Sequence, residues 1–196
     1  MSVKKEINRI KSYAKDNNVP IMTDDGIDFL MDYIKKNKIR RILEVGTAIG
    51  YSAIMMCSVH KDVVVTTIER DETRYLEAIK NIKSVNYDNR INLIYNDAID
   101  VKIKDKFDLV FIDAAKAQNI KFFEKFDLNL NSSGVIITDN MNFHGLVNKD
   151  ENEIKSRNLK QLVRKINDYK EFLINNKMYD TTFLDVGDGI AISIKK

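Results

Sequence analysis

The stretch Ile42-Leu-Glu-Val-Gly-Thr-Ala-Ile-Gly50 passes from a mainly apolar run directly into a glycine-containing loop. Such a run is typical of a strand that is buried on both faces. A helical apolar pattern follows at residues 52–59, and a second apolar run follows at residues 63–68. A strand, a helix and a second strand in succession predict a parallel β-α-β unit, because parallel strands need a crossover connection.

The same alternation continues on both sides of this unit. Further strands are predicted at residues 91–95, 107–112 and 134–138. Two helices are expected before the first strand, with Pro20 between them. Asp71 is expected to cap a helix after the second strand. Apolar residues at helical spacing define these two leading helices, the capped helix and two later ones: Ile7, Ile10 and Ala14; Ile27, Leu30, Met31 and Ile34; Tyr75, Leu76, Ile79 and Ile82; Ile120, Phe123, Phe126 and Leu130; Leu159, Leu162, Val163, Ile166 and Tyr169.

The end of the chain predicts a β-hairpin. Residues 181–186 and 190–194 flank Gly187-Asp-Gly189, a turn signal, so these two strands should pair antiparallel at one side of a mostly parallel sheet. We therefore predict a doubly wound α/β fold, in which ligands bind beyond the carboxyl ends of the strands. We expect residues 1–196 to form one domain, with residues 1–38 as an N-terminal helical cap.

Composition narrows the possible functions and locations. The net charge of +3 is too small to indicate a nucleic-acid binder, so such a partner would need a local basic patch. One cysteine, Cys57, cannot form an internal disulfide, and its apolar surroundings predict a core residue. The sequence shows neither a charged-then-apolar leader nor eighteen apolar residues in a row. A cytoplasmic protein without a membrane partner is therefore expected.

Oxygen-bearing side chains close two neighbouring predicted strands. Asp113 follows the strand at residues 107–112, while Asp139 and Asn140 follow the strand at residues 134–138. Two carboxylates and an amide oxygen that converge would suit Mg²⁺ or a similar hard cation better than zinc or copper. The alternative is that polar residues at strand ends only satisfy the backbone of the loops.

The loop after the first strand is not a dinucleotide-binding fingerprint. Ala48 stands where that motif requires glycine, which argues against a dinucleotide-binding dehydrogenase. No Lys-Ser or Lys-Thr follows, which argues against a P-loop protein. Glu69 closes the next strand, where a carboxylate can accept hydrogen bonds from ribose hydroxyls, and Asp97 could border an adenine. Lys116 could act as a base, because a nearby dication disfavours its protonated form; the alternative is a solvated surface lysine.

Several stretches together resemble the cation-dependent class I S-adenosylmethionine O-methyltransferases of the catechol and caffeoyl-CoA type, and most of all the bacterial tRNA 5-hydroxyuridine methyltransferases within them. The resemblance covers nearly the whole chain. It is carried by Pro20-Ile-Met22, Ile42-Leu-Glu-Val-Gly-Thr-Ala-Ile-Gly-Tyr-Ser-Ala-Ile54, Ile68-Glu-Arg70, Phe111-Ile-Asp-Ala-Ala-Lys116, Gly134-Val-Ile-Ile-Thr-Asp-Asn140 and Val186-Gly-Asp-Gly189.

The resemblance implies a Rossmann-like methyltransferase fold, S-adenosylmethionine and Mg²⁺ as cofactors, and a homodimer. It also implies that Lys116 is the base and that Asp113, Asp139 and Asn140 bind the metal. The implied substrate is 5-hydroxyuridine in the anticodon loop of tRNA, methylated at the wobble position to 5-methoxyuridine. The cofactor contacts that it implies are Met22, Glu44, Gly46, Ser52, Glu69, Asp97, Ala98 and Asp113.

An RNA substrate needs cations near the site, and the segment after Asn140 supplies Lys149, Lys155, Arg157, Lys160, Arg164 and Lys165. Arg157, Lys160 and Arg164 share one helical face and are the predicted tRNA-binding residues, although an ordinary solvated face would show the same pattern. Of three hypotheses, we predict the first, a Mg²⁺-dependent methyltransferase that acts on the wobble uridine of tRNA. The alternatives are a small-molecule catechol-like O-methyltransferase and a nucleotide-binding protein without catalysis.

Overall fold

The computed structural model describes residues 3–142, 145–148, 154 and 156–196. Two short 3-10 helices, Lys116–Gln118 and Leu146–Asn148, join the regular elements. The α-helices are α1 (Val3–Asp16), α2 (Asp24–Lys36), α3 (Tyr51–Ser58), α4 (Glu72–Ser84), α5 (Asn119–Asp127) and α6 (Arg157–Asn175). The strands are β1 (Arg41–Val45), β2 (Val64–Glu69), β3 (Ile91–Tyr95), β4 (Phe107–Ile112), β5 (Leu130–Thr138), β6 (Tyr179–Leu184) and β7 (Ile190–Lys195).

The strands form one seven-stranded sheet in the order β3-β2-β1-β4-β5-β7-β6. β1 to β5 pair in parallel, whereas β7 runs antiparallel to both β5 and β6. The predicted α/β fold with a C-terminal antiparallel hairpin is thereby confirmed. The order reverses at β1 and β4, so a crevice is expected beyond the carboxyl ends of these two strands.

Helices cover both faces of the sheet because the central strands are apolar on both sides. In β1, Ile42 belongs to the core beneath α1 to α4, and Leu43 belongs to the core beneath α5 and α6. Ile10 of α1 and Leu30 of α2 are fully buried in the first of these cores. The expectation of a single domain capped by residues 1–38 stays a prediction.

The prediction that Leu130 belongs to the helix with Phe123 and Phe126 is wrong. α5 ends at Asp127, and Leu130 begins β5, where it pairs with Phe107. The cause is the intervening Asn129. Its side chain donates hydrogen bonds to the carbonyls of Ile103 and Asp105 at 3.0 and 2.9 Å, and its own carbonyl accepts from Phe107 at 2.8 Å. These long-range hydrogen bonds hold the chain in an extended conformation at Leu130, although the apolar residues before it are spaced as in a helix.

Two local predictions agree with the structure. The Asp71 carboxylate accepts a hydrogen bond from the backbone N–H of Arg74 at 2.9 Å and so caps α4. Cys57 is fully buried, and its thiol lies 3.4 Å from the carbonyl oxygen of Val63. Burial raises the pKa of this thiol to about 11, so it is a core residue with little thiolate character.

In the described part of the chain, every helix is too short or too polar to cross a bilayer.

α6 runs antiparallel to β5. The Tyr169 hydroxyl lies 2.8 Å from the Thr138 hydroxyl at the carboxyl end of β5. The helix then continues to Asn175, and β6 begins at Tyr179 beside the last residues of β7, which lie near the amino end of the parallel strands. The residues of α6 before Tyr169 therefore extend toward and beyond the carboxyl edge of the sheet.

We expect the substitution Tyr169→Phe to lower the free energy of unfolding by about 1 kcal/mol, because it leaves the buried Thr138 hydroxyl without this partner. Urea denaturation measures this change. Tyr95→Phe is the matched control, since Tyr95 is half-exposed, and should change stability by less than about 0.5 kcal/mol. Equal stability of Tyr169→Phe and wild type would show that the hydroxyl pair does not stabilise the fold.

Candidate active site

A cleft of about 430 Å³ opens at the carboxyl edge of the sheet. Loops after β1 to β5 and the segment before α2 form its walls, as expected for the point where the strand order reverses. Of the predicted site residues, those that line it are Met22, Gly46, Ser52, Glu69, Asp97, Ala98, Asp113, Lys116 and Asn140. Glu44 and Asp139 lie beneath its surface, with exposed fractions of 0% and 2%.

Gly46 brings the loop after β1 against the end of β4. Its φ is +102°, and a Cβ at this position would lie only 2.2 Å from the backbone oxygen of Asp113. Any side chain would push the two loops apart, so glycine is required here for a close backbone approach. The contact places the predicted cofactor loop directly beside a predicted metal ligand.

The Glu69 carboxylate organises the loop over the end of β2. One of its oxygens accepts hydrogen bonds from the N–H groups of Arg70 and Asp71, both at 2.9 Å, and the other accepts one from Ala48 at 2.8 Å. Each carboxylate oxygen can accept about two such bonds, so the second oxygen keeps room for another donor. This geometry suits the predicted contact with a ribose hydroxyl.

Asp97 and Ala98 stand at the far end of the cleft, after β3. The Asp97 carboxylate accepts from the backbone N–H of Ile99 at 2.9 Å and from the Arg70 guanidinium at 3.1 Å. These two interactions, the backbone bond first, hold the pKa of Asp97 below its ordinary value. Ala98 is buried beside it, with 8% of its surface exposed.

Glu44 supports the cleft from below. Its two oxygens accept hydrogen bonds from the hydroxyls of Ser52 and Thr67, both at 2.5 Å. Burial raises the pKa of Glu44 to about 7, although the two hydroxyls counteract this effect. The structure therefore does not bring Glu44 to the surface of the cleft, and its nearest link to a ligand passes through Ser52. Its predicted cofactor contact stays untested.

The predicted metal ligands converge because β4 and β5 are neighbours in register. Ile112 pairs with Thr138, so Asp113 and Asp139 follow at the same level, and the Asp139 N–H donates to the Ile112 carbonyl at 3.1 Å. Burial, together with the nearby Asp113 carboxylate, raises the pKa of Asp139 to about 7. Asn140 has a φ of +63°, and its N–H donates to Asp139 Oδ1 at 2.7 Å.

This donor set fits a hard divalent cation. A cation would relieve the electrostatic repulsion between the two neighbouring carboxylates. Oxygen ligands are those that Mg²⁺, Ca²⁺ and Mn²⁺ prefer. Across residues 3–142, 145–148, 154 and 156–196, the acidic, His and Cys side chains form no group of three suited to a metal. The predicted donor set consists of the carboxylates of Asp113 and Asp139 and the amide oxygen of Asn140.

Lys116 points into the same site. It begins the 3-10 helix after β4, and its Nζ lies 2.9 Å from Asp113 Oδ1. Only 14% of its side chain is exposed, so the alternative of a solvated surface lysine is wrong. The ammonium lies where it could exchange a proton with a substrate in the cleft, and this role stays a prediction.

The predicted tRNA-binding residues lie on the half of α6 that extends past the carboxyl edge. Arg157 and Arg164 are exposed, Lys160 is partly buried, and α6 packs against the 3-10 helix that carries Lys116. The first turn of α6 contains no acidic residue. The other basic residues predicted for this segment that precede α6, Lys149 and Lys155, lie outside the described residues.

Asp188 also lines the cleft and was not predicted as a site residue. It lies in the turn between β6 and β7, is 8% exposed, and accepts a hydrogen bond from the Asn140 amide at 3.4 Å. In the sequence, Val186-Gly-Asp-Gly189 indicates a turn and carries part of the family resemblance, but neither assigns a role to Asp188. The topology supplies the missing signal: β7 begins at the carboxyl edge of the parallel strands, so the turn before it must reach the site.

Comparisons with known proteins agree with this geometry. A family model described as O-methyltransferase matches residues 2–196. Among solved structures, a Staphylococcus aureus protein provisionally assigned as a caffeoyl-CoA O-methyltransferase is 41% identical, with a TM-score of 0.92 over 97% of this chain and 92% of its own. A Bacillus cereus O-methyltransferase in complex with SAH is 25% identical, with a TM-score of 0.84 over 98% of this chain and 91% of its own.

A similar relative is known from plants. The caffeoyl-CoA O-methyltransferase of Populus kitakamiensis is 26% identical over an alignment of 190 positions, and this alignment covers 93% of this chain and 80% of that protein. The family model, matched over residues 2–196, spans the whole sheet and the cleft.

The buried acids make the stability of the metal-free protein depend on pH. Because the pKa of Glu44 is raised from 4.5 to about 7, the folded protein holds a proton that the unfolded chain has lost. The free energy of unfolding should therefore fall as pH rises from about 5 to about 7, with a slope of up to about 1.4 kcal/mol per pH unit from this group.

Glu44→Gln should remove this part of the slope, measured by urea denaturation at several pH values in the presence of a chelator. Asp139, whose pKa is also raised to about 7, should keep contributing to the slope in that variant. The exposed Glu72, which lies in the first turn of α4, provides a control as Glu72→Gln and should leave the slope unchanged. A Glu44→Gln profile parallel to that of wild type would contradict the prediction.

Proposed function

We propose a specific reaction for this chain, which belongs to the O-methyltransferase family of S-adenosylmethionine-dependent enzymes that includes the caffeoyl-CoA O-methyltransferases. The proposed reaction is the Mg²⁺-dependent methylation of 5-hydroxyuridine at the wobble position of tRNA, which yields 5-methoxyuridine. The observation that carries it is the convergence of Asp113, Asp139, Asn140 and Lys116 at one edge of the cleft that holds the cofactor loop.

In this proposal the residues of the cleft divide the chemistry among them. A cation held by Asp113, Asp139 and Asn140 would lower the pKa of the substrate hydroxyl. A nearby dication also favours the neutral amine of Lys116, and that amine takes the proton of the hydroxyl at Nζ. The acceptor oxygen must then lie in line with the methyl group, and such alignment can supply roughly 7 to 11 kcal/mol of the barrier reduction at best.

The cofactor contacts proposed for this cleft follow its length. Glu69 is assigned to the ribose, Asp97 and Ala98 are assigned to the adenine end, and Gly46 allows the ligand close to the backbone. The remaining contacts that we propose are Met22, Glu44, Ser52 and Asp113, with Glu44 acting through Ser52.

The position of α6 supports an RNA acceptor. Arg157 and Lys160 lie in the first turn of the helix, where the helix dipole is also positive, so an anion such as phosphate would relieve an unfavourable arrangement. Arg164 continues the same face one turn later. A wobble base is already unpaired, so it can enter a pocket at less unstacking cost than a base within a duplex.

A small-molecule acceptor is the second candidate. Its support is the name of the Populus relative, a caffeoyl-CoA O-methyltransferase that is 26% identical to this chain. The two candidates share the cation and the base, and they differ in whether α6 is needed. The homodimer implied by the resemblance and the cytoplasmic location expected from the composition stay predictions, which sedimentation and cell fractionation can test.

The deciding experiment offers the purified protein two acceptors with S-adenosylmethionine and MgCl₂. One is tRNA from a strain lacking this activity, and the other is a catechol. Mass spectrometry of the tRNA nucleosides should reveal 5-methoxyuridine and a matching loss of 5-hydroxyuridine. Methylation of the catechol alone would favour the second candidate and overturn the first.

We predict that Asp139→Ala reduces methyl transfer at least 1,000-fold, while the dissociation constant for S-adenosylmethionine changes less than about threefold. The reason is that Asp139 lies beneath the cleft and is assigned to the cation alone. Single-turnover rates and calorimetric titration measure the two effects. Asp180→Ala, at an exposed position on β6, is the control. Activity in Asp139→Ala that survives a chelator would disprove the metal assignment.

We predict that the combined substitution of Arg157, Lys160 and Arg164 by Gln weakens tRNA binding more than about tenfold. It should also reduce the slope of log affinity against log salt by about 2, because each lost phosphate contact no longer releases counterions. The control replaces Lys35, Lys36 and Lys61, exposed residues at the opposite edge of the sheet, with the same loss of charge. If both triple variants behave alike, α6 has no specific role in RNA binding.

A further inference from the structure

We propose that Asp188 is a positioning residue that holds the side-chain amide of Asn140 with its oxygen available to a cation. This inference rests on the cation site of the proposed function. Asp188 is 92% buried at the edge of the cleft, and its Oδ2 accepts a hydrogen bond from Asn140 Nδ2 at 3.4 Å. The Asp188 carboxylate repels that of Asp139, a predicted metal ligand, so its presence calls for a specific role.

The turn that carries Asp188 is firmly attached to the loop that carries Asn140. The Asn142 N–H donates to the Asp188 carbonyl at 2.8 Å, and the Met141 N–H donates to the Gly189 carbonyl at 2.9 Å. Gly189 has a φ of +85°, and a Cβ there would lie 2.8 Å from the backbone nitrogen of Asn142. The two backbones are therefore in direct contact, which fixes the distance between the side chains of Asp188 and Asn140.

The chemistry of an amide explains why such a partner is needed. A carboxamide can rotate by half a turn and exchange its oxygen, an acceptor, for its NH₂ group, a donor that cannot bind a cation. The backbone of Asn140, with its φ of +63°, does not decide between these two orientations. The Asp188 carboxylate accepts a hydrogen bond from the NH₂ group, so it selects that orientation and leaves the oxygen for the metal site.

Two other roles would predict different behaviour. A direct ligand would contribute to cation binding even without the Asn140 side chain. A residue that only stabilises the turn would affect folding rather than the coupling between positions 140 and 188. A double-mutant cycle separates these cases, because it measures whether one substitution depends on the other.

The experiment titrates the purified protein with MnCl₂ and measures free Mn²⁺ by electron paramagnetic resonance, without substrate or cofactor. Asp188→Ala should weaken Mn²⁺ binding by about 10- to 100-fold, the usual effect of removing a partner that orients a metal ligand. Asp188→Asn should weaken Mn²⁺ binding less than Asp188→Ala does, because its amide oxygen can accept the same hydrogen bond but its NH₂ group can also donate to the Asn140 oxygen. Asn140→Gly keeps the left-handed backbone and removes the ligand. In that variant, adding Asp188→Ala should change the affinity less than about twofold.

Asp185→Asn is the matched control. Asp185 belongs to the same turn and accepts a hydrogen bond from the Asn142 side chain at 2.8 Å, but it is exposed. It should bind Mn²⁺ as wild type does. The thermal unfolding midpoint of each variant is measured in parallel. If Asp188→Ala does not fold, Asp188→Ser replaces it, because serine keeps a polar turn and is too short to reach Asn140.

Three results would overturn the inference. Wild-type affinity in Asp188→Ala would show that Asn140 needs no partner. An equal loss with and without the Asn140 side chain would make Asp188 a direct ligand or a purely structural residue. In both cases the cation site itself would stand. Absence of Mn²⁺ binding by the wild-type protein would instead remove the cation site and this inference together.

Discussion

Negative charge gathered at one edge of the sheet is the constraint on which the rest of the cleft depends. Parallel strands end at the same level, so acids placed at their ends meet. Three backbone N–H groups stabilise the Glu69 carboxylate, and Lys116 pairs with Asp113. Glu44 and Asp139 have less compensation, because burial raises the pKa of both to about 7 despite their hydrogen bonds. Of these two, Asp139 lies beside the Asp113 carboxylate, so a bound cation would stabilise its ionised form.

The sheet was largely predictable from the sequence because its central strands are buried on both faces. Near-continuous apolar runs identified β3 and β4 with their observed bounds, and the turn residues located the final hairpin. Leu130 was misassigned because helical spacing is a local signal, whereas the hydrogen bonds of Asn129 that hold it in a strand connect distant parts of the chain. Periodicity alone carries no information about such partners.

The candidate site was predictable to a similar extent, and for the same reason. Residues that follow directly from strand ends, such as Asp113, Asp139 and Asn140, could be placed together from the strand pattern. The complete burial of Glu44 could not be predicted. Its position on β1 indicates which face of the sheet it occupies, but not that Ser52 and Thr67 would enclose it. Detecting Asp188 required knowledge of which strand β7 joins, a tertiary fact that a turn motif does not contain.

The burial of Cys57 has a practical consequence for spectroscopy. It is the only cysteine of the chain, it is fully buried in the core, and burial raises the pKa of its thiol to about 11. Maleimide or methanethiosulfonate reagents should therefore spare it in the folded protein, since they attack thiolates that solvent can reach. Single cysteines introduced on the surface would accept fluorophores or spin labels selectively, without prior removal of the native thiol. Distances between α6 and the β6–β7 turn then become measurable in solution in an otherwise native sequence.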